Sequence, residues 1–126
     1  MPIISIVFAA IAAGIHVLFF LMESVFWMHP KVHKEFGIKT VAEAEQLKLS
    51  FFNQGFYNLF LAIGIFTSIY LLFSGYFIAG KTLLLFCCAS MFSASIVLLF
   101  SKPNMLRGVF IQSLSPLLAI LSWWLF

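Results

Sequence analysis

Two ionisable side chains, His16 and Glu23, stand inside a long apolar run near the start of this chain. They are seven residues apart, which on an α-helix returns to nearly the same face. A neutral imidazole near a carboxyl group is suited to proton transfer. Trp27 lies one turn beyond Glu23 on that face. A second set of polar side chains, Asn53, Gln54 and Asn58 with Tyr57 among them, opens another apolar run, and Gln112 opens a third. Gln54 and Asn58 are four apart and share a helix face with Tyr57 beside them. Pro116 follows Gln112 by four and has no N–H, so the Gln112 carbonyl is expected to be a spare acceptor. The residue types make His16 and Glu23 candidates for catalysis by proton transfer. Trp27, Asn53, Gln54, Tyr57, Asn58 and Gln112 are the candidate ligand-binding set.

What must position these groups follows from composition. Of 126 residues, 63% are hydrophobic and 9% charged, with a mean hydropathy of +1.13. A soluble domain carries about 25% charged residues, so this chain cannot cover a water-facing surface. A soluble enzyme, a disordered chain and a nucleic-acid-binding module are excluded. Four apolar stretches, about residues 3–28, 50–73, 82–100 and 108–126, are each long enough to cross a membrane core of about 30 Å. The expected fold is all-α, one integral membrane four-helix bundle over residues 1–126. Pro30 should end the first span, and Ser74-Gly75 and Ser101-Lys102-Pro103 should end the next two. Thr40 and Glu43 have capping-box spacing, so the second helix should start near Val41 and extend beyond the membrane into the cytoplasm. The N-terminal run has no basic residue before it, which argues against a cleaved signal peptide.

The net charge of +3 reflects seven basic residues between the apolar runs. Their expected role is orientation, with no nucleic acid as partner. Lys31, Lys34, Lys39 and Lys48 lie in the first loop, Lys102 and Arg107 in the third, and Lys81 alone in the second. That asymmetry places loops one and three in the cytoplasm and both termini outside. Glu23, Asn53, Gln54, Ser95 and Gln112 then fall at similar depth, roughly 7 Å below the cytoplasmic boundary. The outer half is almost purely apolar, so a polar pocket opening inward is expected. Adjacent Cys87 and Cys88 read as small apolar fillers rather than a disulfide. No metal or cofactor is expected: His16 and Glu23 lie about 10 Å apart along a helix, with no further strong ligand.

The run Asn53-Gln-Gly-Phe-Tyr-Asn58, continued by Leu-Phe-Leu-Ala62, resembles the signature of the domain of unknown function 1304 family of small bacterial membrane proteins. His16, Glu23, the Phe36-Gly37 turn, Gln112 and Pro116 resemble it too. The resemblance implies a four-span integral membrane protein and brings no established activity. A bacterial cytoplasmic membrane and a multi-pass topology are the expectation.

Three functions compete. One is a pocket that binds or acts on a small amphipathic molecule or lipid. A second is a proton-coupled exporter working as a homodimer. The third is a structural or accessory protein without chemistry. Each polar residue also has a structural role open to it: Glu23 snorkelling toward Lys31 or Lys34, His16 donating between helices, and the amides holding helices together at about 0.6–2 kcal/mol per bond.

Overall fold

The computed structural model describes residues 1–126 and contains no strand. Four helices are long and apolar enough to cross a membrane. They are α1 with its continuation (Ile3–Val25), α3 (Val41–Phe73), α4 (Phe77–Ser101) and α5 (Leu106–Leu125); a short helix, α2 (Pro30–Glu35), lies between the first two. The helices form a square in which α3 and α5 each pack against both α1 and α4, while α1 and α4 sit on the diagonal. Small residues permit this closeness. Ala9, Ala12 and Ala13 of α1, Ala62 of α3, Cys88 of α4 and Ala119 of α5 are buried around Ile65, Leu84 and Met91. Ser5 Oγ donates to the Ala119 carbonyl at 2.7 Å, tying α1 to α5. Cys87 and Cys88 are free thiols, and Cys87 Sγ fills the space a Cβ would need at Gly64.

The end carrying loops one and three departs from the simple reading of the apolar runs. Regular α-helix stops at Phe20, and Leu21–Val25 form a π-turn in which the Phe26 N–H reaches the Leu21 carbonyl at 2.8 Å. Pro30 therefore does not terminate the first span, which has already ended. It starts α2, where its missing N–H has no helical acceptor to lose. The helix α4 begins at Phe77, five residues before the apolar run suggests, because Gly75 at φ +90° completes the preceding turn. At that far end, Lys81 Nζ lies 4.7 Å from the Trp124 ring centroid. The Thr40 hydroxyl accepts from the Glu43 N–H at 3.2 Å and caps α3, which then runs unbroken for 33 residues. At 1.5 Å per residue that is about 50 Å, so its first turns stand beyond a core of about 30 Å.

Those first turns carry a second, smaller core. Trp27 stacks on Phe51 at 3.9 Å, meets Phe36 edge-on at 5.5 Å, and donates its indole N–H to the Ala44 carbonyl at 2.9 Å. Ile38 and Ala44 are buried with it. His33 closes the far side, its Nδ1–H donating to the Ile38 carbonyl at 2.6 Å. The positive φ of Gly37 turns the chain back for that contact.

Candidate functional site

Glu23 sits in the middle of the π-turn and is only 2% exposed. The turn is held on α3 by Ser24, whose Oγ donates to the Phe52 carbonyl at 2.7 Å, and by Gly55, which has no side chain to keep Ser24 away. Asn58 of α3 donates from Nδ2 to Glu23 Oε1 at 2.9 Å. The Gln54 carboxamide approaches the same carboxyl group but does not complete hydrogen-bond geometry with Oε2, which has no partner. One oxygen of a buried carboxyl group is thus fixed across two helices and the other is free. An unpartnered buried polar atom is expensive and uncommon, and an inserted π-turn is frequent at functional sites.

A cleft of about 480 Å³ opens beside Glu23 between α3, α4 and α5. Its polar lining includes Glu23, Gln54, Asn58 and Gln112, with Lys102 where α4 ends. Phe19, Leu61 and Leu98 give it an apolar wall, and Phe36 and Phe51 back it with the rings that pack on Trp27. Gln54 is exposed there and Tyr57 is 69% exposed, so the cleft opens sideways as well as at the end of the bundle. A second cleft, about 500 Å³, lies on the other side of the π-turn and is lined by Trp27, Glu45 and Lys48. Glu23 is the one residue common to both.

The candidates separate on this geometry. Glu23, Gln54, Tyr57, Asn58 and Gln112 share one cleft. Asn53 does not join them. One residue is about 100° of helix, so Asn53 and Gln54 cannot face the same way, and Asn53 turns back to the Leu49 carbonyl of its own helix at 2.9 Å. Ser95, about 100° around α4 from the cleft-lining Ala94, is buried and donates to the Phe92 carbonyl. Trp27 belongs to the smaller core and the second cleft. His16 lines neither cleft and makes no hydrogen bond to Glu23. Its Nδ1 bonds the Ala12 carbonyl at 2.9 Å, its ring meets Phe19 edge-on, and its buried Nε2 has no partner. Two regular turns would have aligned the pair; the π-turn changes the pitch just before Glu23 and breaks the alignment. His33, buried with an unpartnered Nε2, is not marked as a site residue by the sequence. It lies in a stretch rich in lysine, where a solvated histidine is the ordinary expectation, and only the Phe36-Gly37 turn beside it hints at local packing. No three His, Cys, Asp or Glu side chains gather as a metal site.

The sequence profile of a family described as "Protein of unknown function (DUF1304)" matches residues 10–124. The chain belongs to the DUF1304 family. That match reaches all four long helices and covers all of the residues around the cleft, and the four apolar helices make this DUF1304 protein a multi-pass membrane helical bundle. Comparison with curated proteins and with solved structures finds no match.

Proposed function

We propose that this DUF1304 protein binds, and acts by proton transfer on, a small amphipathic molecule or lipid in the cleft beside Glu23. The observation that carries the reading is the carboxyl group of Glu23, buried, held on one oxygen by Asn58 and free on the other at the wall of a half-apolar cleft. The amides of Gln54 and Gln112 orient the polar end of the ligand, and the aromatic wall accepts its apolar body. The sideways opening at Tyr57 suits a molecule that arrives from the bilayer. In the cytoplasmic membrane of a bacterium, six basic residues of seven in loops one and three support a cleft in the inner leaflet with both termini outside. Because Glu23 also lines the second cleft, a proton-coupled exporter working as a homodimer is the second reading. It requires Glu23 to exchange protons between the two clefts as substrate moves.

Substitutions that keep shape separate chemistry from packing. Glu23→Gln keeps an acceptor for Asn58 and removes the titrating group. It is expected to abolish ligand turnover or the cellular phenotype while melting in detergent stays close to wild type. His16→Gln, outside the cleft, is expected to lower melting by the worth of about one membrane hydrogen bond, 0.6–2 kcal/mol, with activity falling only in proportion. Wild-type activity in Glu23→Gln contradicts the proton-transfer role.

Orientation is tested by thiol labelling of intact cells in a variant lacking Cys87 and Cys88. Lys39→Cys should be shielded from an impermeant reagent and Tyr76→Cys should label, both positions being exposed. Gly80 is unsuitable as the outer position, because a Cβ there would lie 2.9 Å from the Leu72 nitrogen and the Ser68 carbonyl oxygen. The reverse labelling pattern overturns the orientation and the inner-leaflet placement with it.

A further inference from the structure

We infer that the ligand presents a hydroxyl group, which can donate or accept, to Glu23 Oε2 in the cleft, with its apolar chain lying along Phe19, Leu61 and Leu98. The inference rests on the reading of the cleft as a binding site and names the chemistry that the site selects. Glu23 is 2% exposed, its Oε1 is taken by Asn58, and its Oε2 is buried without a donor. The Gln54 carboxamide stands beside the carboxyl group but does not bond Oε2. The other polar side chains lining the cleft, Tyr57 of α3, Gln112 of α5, and Ser101 and Lys102 at the end of α4, make no bond to Oε2. An alcohol oxygen donates one hydrogen bond and accepts others, so it can satisfy Oε2 and still receive a bond from the amide of Gln54 or Gln112. An alkane of the same length fills the same apolar wall and leaves Oε2 orphaned, whether that oxygen carries the proton or not. The site therefore distinguishes an alcohol-headed amphiphile from an alkane of the same length by one hydrogen bond to Glu23 Oε2.

The test compares 1-dodecanol with dodecane, titrated into the full chain in phosphatidylcholine nanodiscs and corrected for partition into lipid. Trp27, stacked on Phe51 behind the cleft wall, reports binding by fluorescence in a Trp123→Phe, Trp124→Phe background. The alcohol is expected to bind about tenfold more tightly than the alkane, the worth of one hydrogen bond to a buried group otherwise left without a partner. In Glu23→Met, which keeps the length of the side chain without its oxygens, the two affinities should converge. Equal binding of both probes to the wild-type protein means that Gln54 serves Oε2 after all; it overturns the inference and leaves the binding site standing. Failure of both probes to bind overturns the binding site, and the inference with it. The wild-type comparison decides the matter even where Glu23→Met does not fold.

Discussion

Trp27→Ala is expected to lower the stability of the purified protein by about 3–5 kcal/mol, the range for truncating a large buried aromatic. Trp27 is 2% exposed and is the centre of the small core that joins the π-turn, the Phe36-Gly37 turn and the first turns of α3. Truncation removes the Phe51 stack, the Phe36 edge contact and the indole bond to the Ala44 carbonyl together. The effect should reach the site, because Phe36 and Phe51 also line the cleft beside Glu23 and lose their backing. Trp27→Phe keeps the stack but not the hydrogen bond and should lose much less. Thermal unfolding in detergent reads both variants. A melting temperature for Trp27→Ala equal to wild type would mean that loop one folds without this core.

Gly55→Val is expected to destabilise by about 3 kcal/mol, the upper part of the range for overpacking, and to disable the site even where the bundle survives. A Cβ at position 55 would fall on the Ser24 hydroxyl and lie 3.0 Å from Ser24 Cβ and 3.1 Å from its backbone nitrogen. The obstacle includes backbone, so a rotamer change cannot clear it. The π-turn must lift off α3, which breaks the Ser24 bond to the Phe52 carbonyl and draws Glu23 away from Asn58. Gly14→Ala is the control. A Cβ there meets nothing within 4 Å, and the helix gains about 1 kcal/mol from the better helix former. Pairing Gly55→Ala with Ser24→Gly should recover part of the loss. Equal melting of Gly55→Val and Gly14→Ala would show that close approach at Gly55 is not what seats the turn.

Much of the fold is legible in the sequence because its causes are local or compositional. Apolar runs of membrane length give four helices, Thr40 and Glu43 start α3 where their spacing says, and alanines on one face of α1 mark the side that packs. The four-residue spacing of Gln54 and Asn58 puts both at the cleft for the same reason. What the sequence hides is a change of pitch. No residue between Leu21 and Val25 signals a π-turn, since the turn is imposed by seating Ser24 and Glu23 on α3 at Gly55. With a regular helix assumed, His16 and Glu23 look aligned and Glu23 looks free to snorkel. With the turn in place, Glu23 is buried against Asn58 and His16 is left in apolar packing. Depth alone groups Asn53 with the others, but depth ignores the angle around α3. The burial of Trp27 and His33 arises from contacts between loop one and α3, and neither residue carries a local mark of it.

The central claim is that Glu23 Oε2 meets a polar atom of a bound amphiphile in the cleft between α3, α4 and α5. The most direct measurement is a high-resolution structure of the full chain in nanodiscs made from its native membrane lipid. Elongated density is expected in the cleft, with a polar atom within about 3.2 Å of Glu23 Oε2 and the Asn58 bond to Oε1 intact. A cleft closed by the protein's own side chains, or one holding only an acyl tail with no polar atom near Glu23, would contradict it.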